Sequence, residues 1–536
     1  MSAGRAPAGP GPAPDAATGA DPATERARLA GEGMVLAHWA RHDPDRAAIL
    51  SPNGDRTFGE LNARANQAAR AFRQLGLGAG DAVALLCGNR PEFAEVLAAT
   101  QRGGFRLTPV NWHLTTDEVT YIVGDCEAKV LVSDRAHAEI AAAAARCLDD
   151  PPIIVVVGQP LEGTVSYDTL VAAEEPGDLE DPCLGSSMLY TSGTTGRPKG
   201  VHRPRGTTSS ASLGIFGYRE DGSDRHLCTG PLYHAAPLLF SLVVPLTYGV
   251  GVVVMERFDA EEALRLVERY SVTHTHMVPT MFHRLLSLPE DVRDRYDVSS
   301  LRSVLHGAAP CPVVVKRRLM EWLGPVVWEY YAATEGLGTF VDPETWLAHP
   351  GTVGRPLVEG MVVVGDDQGR PLPPGETGLV YLRPPPGAAF EYYKDPAKTA
   401  STYVGEYFTL GDVGRFDDEG YLYLTDRSAN LIISGGVNIY PAEVDAVLLE
   451  HPAVGDVGTI GVPDDEWGEV VLAVVEPQPG TIAGPELEHE LLAFCRQRLA
   501  HFKCPRSVAF VDHLPRHDNG KLYRAVLRER FAASGS

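Results

Sequence analysis

The stretch LYTSGTTGRPKG, residues 189–200, carries the strongest signal for fold and function in the chain. It follows the run LGSSM at residues 184–188, so we expect a short strand that opens into a loop. Its glycines allow tight bends and close approach to a ligand, and Lys199 adds a positive charge. Its hydroxyl donors are Thr191, Ser192, Thr194 and Thr195. Such a loop suits a polyphosphate, but Gly200 after Lys199 excludes the Walker form, which needs Ser or Thr there.

The composition is typical of a globular protein with more than one domain. The chain has 536 residues, of which 44% are hydrophobic and 22% charged. A formal net charge of −23 argues against nucleic acid as a partner, because a phosphate backbone would be repelled. The eight cysteines are scattered without a C-x-x-C pair, which favours reduced thiols in a cytoplasmic protein. Lysine occurs at only seven positions, so a lysine inside a glycine-rich loop is distinctive.

Helical and strand patterns alternate along the chain, which predicts an α/β fold with mainly parallel sheets. Residues 1–30 are rich in Ala, Gly and Pro and predict a disordered tail. The expected helices are 58–75 and 91–102, and the expected strands are 83–87, 130–132 and 153–157. The long apolar passage at 235–255 is broken by prolines and glycines, so we predict a buried helix and a core strand rather than a membrane span.

TSGTTGRPKG resembles the phosphate-binding loop of the adenylate-forming superfamily, which includes acyl-CoA synthetases, peptide-synthetase adenylation domains and luciferases. Further signatures follow in the family's order, and the resemblance covers nearly all of the chain after about Gly31. It implies a large N-terminal domain, residues 31–426, of doubly wound sheets plus a small barrel-like part. It also implies a small mobile α+β C-terminal domain, residues 427–536, that acts as a lid.

The resemblance assigns the ATP phosphates and a Mg²⁺ ion to two segments. In the first, the implied phosphate-binding residues are Thr191, Ser192, Gly193, Thr194, Thr195, Gly196 and Lys199. The second, YAATE at residues 331–335, resembles Y-G-x-T-E with Ala332 in place of the usual glycine. There Tyr331 offers a flat face to adenine, Thr334 a hydroxyl to the α-phosphate and Glu335 a hard oxygen to Mg²⁺. Thr191 is the second implied metal ligand.

Two further segments complete the implied nucleoside site. The loop HGAAP, residues 306–310, matches the one that borders adenine and contributes Gly307, Ala308 and Ala309. LGD at residues 410–412 resembles T-G-D, with Leu410 where threonine is usual, and a carboxylate such as Asp412 suits two ribose hydroxyls. Arg427 is implied to reach the same ribose.

The C-terminal segments carry the implied domain movement. Asp426 resembles the hinge about which the small domain turns, while Ala429 and Asn430 replace the usual Lys and Asp and receive no role. Gly435 and Gly436 are implied to border the coenzyme A chain. In PRHDNGK, residues 515–521, the resemblance makes Lys521 the residue that closes on the carboxylate and the α-phosphate.

His234 in PLYHAAP, residues 231–237, resembles the aromatic-His motif that borders the acyl pocket. A histidine buried in the core for structural reasons is the alternative interpretation of this residue. Together with Thr191, Glu335 and Lys521, His234 completes the expected catalytic set.

The function implied is ATP-dependent activation of a carboxylic acid to an acyl-adenylate, followed by transfer to coenzyme A. Three alternatives stay open: a carrier-protein thiol as the acceptor, nitrite activation with diazotisation of an aryl amine, and a non-catalytic nucleotide-binding protein. The acid itself cannot be deduced, because dispersed residues form the pocket walls; fatty acid metabolism and secondary metabolism are both compatible settings. A homodimer is a further expectation.

Overall fold

The computed structural model describes residues 22–191, 197–203, 216–427, 430–435, 437–464, 466–516 and 520–532. The helices are α1 (Pro22–Gly31), α2 (Val35–His42), α3 (Phe58–Gln74), α4 (Pro91–Gly103), α5 (Thr116–Asp125), α6 (Ala138–Arg146), α7 (Tyr167–Ala172), α8 (Ala235–Leu238), α9 (Val244–Thr247), α10 (Ala260–Tyr270), α11 (Pro279–Leu286), α12 (Glu290–Arg293), α13 (Val313–Leu323), α14 (Pro343–Ala348), α15 (Pro396–Thr402), α16 (Pro441–Leu448), α17 (Pro485–Arg496) and α18 (Arg524–Ala532). A π-helical turn joins α8 to α9 at Leu239–Val243, and a 3₁₀ turn spans His501–Lys503.

The strands are β1 (Ala47–Leu50), β2 (Arg56–Thr57), β3 (Ala82–Leu86), β4 (Arg106–Pro109), β5 (Ala128–Asp134), β6 (Ile153–Val157), β7 (Val165–Ser166), β8 (Ser186–Ser187), β9 (Leu189–Thr191), β10 (Lys199–His202), β11 (Arg225–Cys228), β12 (Gly251–Val254), β13 (His274–Met277), β14 (Ser303–His306), β15 (Val327–Ala333), β16 (Gly336–Val341), β17 (Arg355–Pro356), β18 (Val362–Gly365), β19 (Gly378–Leu382), β20 (Glu391–Tyr392), β21 (Tyr403–Val404), β22 (Tyr407–Phe416), β23 (Leu422–Arg427), β24 (Ile432–Ser434), β25 (Val437–Ile439), β26 (Val454–Asp464), β27 (Gly468–Pro477) and β28 (Ser507–Phe510).

Two large sheets form the body of the molecule. One has six parallel strands in the order β7-β6-β5-β3-β4-β8. The other has nine strands in the order β17-β16-β15-β14-β13-β11-β12-β1-β2, with a parallel centre and antiparallel edges. Helices alternate with the parallel strands, as the sequence predicts. The α/β class and the large N-terminal domain with parallel sheets are confirmed.

Helix α3 shows why the local sequence folds as it does. Thr57 and Glu60 form a reciprocal capping box at its start, which satisfies backbone donors that have no partner within the helix. Leu61, Ala65 and Phe72 recur on one face and are completely buried. The helix therefore begins at Phe58, as predicted, and packs its apolar face into the core.

The apolar passage folds as predicted, since α8, the π turn and α9 run as a largely buried helical segment before the core strand β12. Within the described part of the chain, no helix combines the length and the apolar character that crossing a membrane requires.

The prediction of a disordered tail over residues 1–30 is wrong for the part of that range that begins at residue 22. Residues 22–31 form α1, in which Leu29 is only 2% exposed and Arg26 pairs with Glu220. The Ala-rich composition of this segment is compatible with helix as well as with disorder, and burial of its few apolar side chains selects the helix.

Smaller sheets complete the fold. An antiparallel sheet of β18, β19, β21, β22 and β23 corresponds to the predicted barrel-like part of the large domain. The C-terminal region is α+β: strands β24 to β28 form one sheet, with α16, α17 and α18 beside it. Pro441 occupies the first turn of α16, where its missing N–H costs nothing.

Candidate active site

The two ends of the phosphate-loop segment meet as an antiparallel strand pair. Thr191 ends β9, Lys199 begins β10, and the two residues are direct partners in the register. The Lys199 ammonium lies 5.7 Å from the ring centroid of Tyr392 on β20. The intervening predicted residues, Ser192, Gly193, Thr194, Thr195 and Gly196, lie outside the described part of the chain. The described flanks place Lys199 next to the second predicted phosphate and metal segment.

Glu335 is held at that second segment by two residues that sequence inspection did not reveal. It is only 6% exposed, and its Oε1 accepts a hydrogen bond of 2.9 Å from the Tyr392 hydroxyl. Arg203 donates to the backbone carbonyls of Thr334 and Glu335 at 2.8 and 2.9 Å. Burial lowers the pKa of Arg203. Tyr392 thus connects Glu335 with Lys199, and Arg203 fixes the turn between β15 and β16.

Tyr331 and Asp412 form the nucleoside end of the site. The Tyr331 hydroxyl donates to Asp412 Oδ2 at 2.7 Å, and both side chains are at least nine-tenths buried. Asp412 on β22 is the register partner of Arg427 on β23, so the two residues predicted to bind ribose are neighbours in one sheet. A Cβ on Gly338 would come within 2.8 Å of the Tyr331 ring, so glycine at that position makes room for the ring.

The predicted adenine loop follows β14 directly. Ala308 has a φ of 66°, which is unusual for a residue with a side chain and marks a sharp turn. A Cβ on Gly307 would lie 2.6 Å from the Tyr330 ring and 2.7 Å from its carbonyl oxygen, so only glycine fits. Ala308 and Ala309 line the cleft at the carboxyl end of a parallel strand, where open α/β sheets bind ligands.

A cleft of about 1820 Å³ lies between the large domain and the C-terminal domain. Tyr331, Ala332 and Asp412 of the large domain line it, and so does Lys521 of the C-terminal domain. Gly520, beside Lys521, approaches Thr280 so closely that a Cβ would lie 2.5 Å from the threonine Oγ1. The structure therefore brings together the predicted adenine, ribose and lysine segments.

The loop that carries Lys521 is fixed by Arg516. The Arg516 guanidinium donates to both carboxylate oxygens of Asp456 at 2.6 Å and to the Gly520 carbonyl at 2.8 Å. Gly435 lies elsewhere, in the turn between β24 and β25, where its φ of 57° fits it against the Trp467 ring. Gly436 is outside the described residues. The conformation observed is thus the one that places Lys521, rather than Gly435, at the cleft.

Tyr233 brings the predicted acyl motif to the cleft. Its ring lines the cleft and makes an edge contact with Trp112 at 6.2 Å between centroids. His234 lies beside it, with ring centroids 4.6 Å apart, at the N-cap of α8. The motif therefore contributes an aromatic wall through Tyr233, and the role predicted for His234 remains a prediction.

A buried charge network supports the strand that carries Tyr331. The Lys316 ammonium is completely buried, lies 2.8 Å from Glu329 Oε2 and sits over the Trp346 ring at 4.6 Å. His306 Nε2 is 3.4 Å from the same oxygen. Burial by itself would raise the pKa of Glu329, but the nearby Lys316 and His306 lower it to about 2. Glu329 is therefore ionised beside the cleft that it lines.

Comparison with known proteins agrees with this arrangement of segments. Residues 36–393 match the family model described as AMP-binding enzyme, and residues 443–521 match the AMP-binding enzyme C-terminal domain. The chain belongs to the AMP-binding enzyme family. This assignment confirms the superfamily indicated by the phosphate loop and identifies the protein as an enzyme.

Individual AMP-binding enzymes resemble it over nearly their full lengths. A feruloyl-CoA synthase of Amycolatopsis sp is 35% identical, over 94% of this chain and 100% of its own. A long-chain-fatty-acid–CoA ligase of Mycobacterium tuberculosis is 33% identical, over 94% and 99%. The crystal structure of an anthranilate CoA ligase in complex with anthranoyl-AMP has a TM-score of 0.84 at 27% identity, over 94% and 98%. These names cover different acids, so they do not by themselves identify the substrate of this AMP-binding enzyme.

Proposed function

We propose that this AMP-binding enzyme converts a carboxylic acid and ATP into an acyl-adenylate and then transfers the acyl group to coenzyme A. The observation that carries the proposal is that Lys521 and the hydrogen-bonded Tyr331–Asp412 pair line one and the same cleft. The acid–CoA ligases among its relatives support the same conclusion. Retention of this constellation argues against a protein that only binds nucleotide.

The first half-reaction requires positioning and charge neutralisation rather than covalent catalysis. A carboxylate oxygen of the acid attacks the α-phosphorus of ATP, and pyrophosphate leaves. Asp412 would accept hydrogen bonds from the ribose, Tyr331 would contact the base, and Lys521 would neutralise charge between carboxylate and phosphate. Lys199 and the hydroxyls of the phosphate loop would hold the leaving pyrophosphate.

The donor set around Glu335 fits Mg²⁺. The buried Glu335 carboxylate and the hydroxyl of Thr191, the register partner of Lys199, are hard oxygen ligands of the kind this ion prefers. Tyr392 and Arg203 orient the Glu335 segment, so the carboxylate is positioned before ligands arrive. Mg²⁺ bound there would neutralise phosphate charge.

In the second half-reaction the thiol of coenzyme A attacks the acyl carbon, and AMP leaves. We propose that the C-terminal domain turns about Asp426 between the two steps. Asp426 Oδ1 accepts a hydrogen bond of 2.9 Å from Asn430, and Oδ2 accepts one of 3.0 Å from the Ala442 amide at the start of α16. This carboxylate thus joins the last strand of the large domain to the first helix of the small one. The turn would replace Lys521 at the cleft with the Gly435 segment.

The acyl end of the cleft favours a small aromatic acid over a long aliphatic one. Trp112, Tyr233 and Tyr330 line this end. The Tyr330 hydroxyl is 2.9 Å from His276 Nε2, and its ring packs 4.8 Å from that of Phe240. Among the described residues, these rings pack behind Tyr330 and give this end of the cleft an aromatic wall. A one-ring acid favours secondary metabolism over fatty acid metabolism as the setting.

A panel of acids tests this substrate class. With ATP and coenzyme A, the wild-type enzyme is expected to release pyrophosphate faster with benzoate- or cinnamate-type acids than with hexadecanoate. Tyr330→Ala removes the wall, so kcat/KM for acids with longer chains should rise by about tenfold or more relative to benzoate. Tyr330→Phe keeps the ring and is the matched control, which should retain the wild-type order of acids. Preference for hexadecanoate in the wild-type enzyme would contradict the assignment.

The acceptor is tested separately by mass spectrometry of the products. The enzyme incubated with ATP, an accepted acid and coenzyme A should yield the acyl-CoA thioester and AMP. Formation of a diazonium product from nitrite and an aryl amine, or acylation of a carrier protein without reaction with coenzyme A, would favour the alternative acceptors instead.

The need for ATP and coenzyme A supports a cytoplasmic location, as do the free thiols of all eight cysteines. The expectation of a homodimer stays a prediction, which sedimentation of the full chain tests.

A further inference from the structure

We propose that Glu25, His38 and His42 form a binding site for a divalent transition-metal cation of the Zn²⁺ type, separate from the active site. Glu25 lies on α1, and both histidines lie on α2, one helical turn apart. Each of the three residues offers one ligand atom, and these three atoms all lie within 4.8 Å of one another. Two imidazoles and one carboxylate are a donor set that Zn²⁺ accepts.

The two distances from Glu25 are close to those that a shared metal ion requires, and all three ligand atoms lie within 4.8 Å of one another. Glu25 Oε2 is 3.0 Å from His38 Nδ1 and 3.8 Å from His42 Nε2. Zinc bonds of about 2.0–2.1 Å in tetrahedral geometry place neighbouring ligand atoms roughly 3.3 Å apart. The two observed separations lie on either side of this value.

In the neutral His42 ring, Nε2 is oriented toward Glu25 as a metal ligand and not as a hydrogen-bond donor. The His42 Nδ1 lies 2.8 Å from the His38 carbonyl oxygen, which can only accept, so Nδ1 must carry the hydrogen. In the neutral ring Nε2 then presents a lone pair to the Glu25 carboxylate, and two electron-rich atoms face each other. A metal ion between them removes this repulsion. Donation of the second ring N–H to a backbone carbonyl is also what metal-bound histidines usually show.

The remaining contacts orient the carboxylate. Arg41 donates to Glu25 Oε1 at 3.0 Å, which leaves Oε2 turned toward the histidines. The same guanidinium pairs with Asp178 at 2.8 Å, and Arg26 pairs with Glu220, so both nearby positive charges have carboxylate partners. His38 is almost fully buried, whereas the side chain of His42 is 51% exposed, so water can complete the coordination from that side. Binding would fasten α1 to α2.

Zinc titration of the full-length, EDTA-treated enzyme in the absence of ATP tests the site. Calorimetry should show one saturable equivalent in the wild-type protein, and thermal unfolding should shift to higher temperature with Zn²⁺. His42→Ala should weaken zinc binding by at least about tenfold, because mutation of residues that merely hydrogen-bond to metal ligands already lowers metal affinity by that factor. Because the His42 side chain is half-exposed, the alanine variant should still fold. His42→Gln is a second variant, and its side chain is closer in shape to histidine.

His489→Ala is the matched control. The His489 Nδ1 also donates to the carbonyl four residues earlier on an exposed helix face, at 2.7 Å, but the residue is not part of the cluster. This variant should bind zinc as the wild type does. Absence of saturable binding in the wild-type protein, or equal affinity in both His42 variants and the wild type, would overturn the proposal.

Discussion

Replacing Lys521 with alanine is expected to lower the rate of acyl-adenylate formation by about 10²–10³-fold, the usual loss when a donor aimed at developing charge is removed. Lys521 lines the cleft that Tyr331 and Asp412 also line, where the reacting carboxylate and phosphate would meet. Thioester formation from a chemically supplied acyl-adenylate should survive largely intact, because the proposed domain rotation withdraws Lys521 before that step. Pyrophosphate release measures the first half-reaction, and acyl-CoA formation from the adenylate measures the second.

Lys503→Ala provides the comparison within the same domain. Lys503 pairs with Glu443 and is about one-quarter exposed. It is not among the residues that line the cleft, so both half-reactions should continue near the wild-type rate. Circular dichroism of both variants establishes that they fold. If Lys521→Ala reduces both half-reactions equally in a folded protein, the rotation is wrong. If neither changes, Lys521 is an ordinary surface residue.

The sequence patterns predicted those elements whose formation depends on residues close together in the chain. The alternation of helices and strands and the helix predicted at 58–75, observed at Phe58–Gln74, depend on periodicity and capping within each segment. The order of the motifs likewise predicted that Tyr331, Asp412 and Lys521 would share one site, and the cleft contains all three.

Contacts between distant segments could not be predicted in this way. Tyr392 hydrogen-bonds to Glu335 although the two residues are 57 positions apart in the sequence, and Arg203 bonds to the same residue from 132 positions away. Neither residue belongs to a pattern with a recognisable spacing, because their partners are decided by sheet packing. Asn430 received no role since it departs from the family pattern, yet it hydrogen-bonds to the predicted hinge residue Asp426. The rings around Tyr330 likewise come from separate strands and helices.

The buried ion pair beside the cleft leads to the prediction with the largest effect on stability. Lys316→Met should lower the free energy of unfolding by about 3–5 kcal/mol, the cost of leaving one member of a buried pair without its partner. The Lys316 ammonium is fully buried and 2.8 Å from Glu329 Oε2, so in the variant His306 is the remaining basic neighbour of that carboxylate among the described residues. Urea denaturation of wild type and variant at pH 7 measures the difference. Loss of less than about 1 kcal/mol would mean that water or another cation replaces the ammonium.

The same pair should control stability in acid. The pKa of Glu329 is about 2 in the folded protein, below its ordinary value of 4.5, so the unfolded chain takes up the proton first as the pH falls. The stabilisation is therefore complete above about pH 4.5 and is lost progressively toward pH 2. Glu329→Gln cannot titrate, so its unfolding free energy should start lower at pH 7 and fall less steeply between those values. If the unfolding free energies of Glu329→Gln and the wild type fall with the same slope as the pH is lowered, other carboxylates cause the acid sensitivity.

A double variant separates the ion pair from simple packing. If unpaired charge causes the loss in Lys316→Met, then Lys316→Met combined with Glu329→Gln should recover part of the lost stability, because no charged member of the pair remains buried. If the loss comes from the packing of the lysine chain over the Trp346 ring, the second substitution should add to the first. The sign of the coupling between the two substitutions therefore decides whether the strand that carries Tyr331 is supported by charge or by contact.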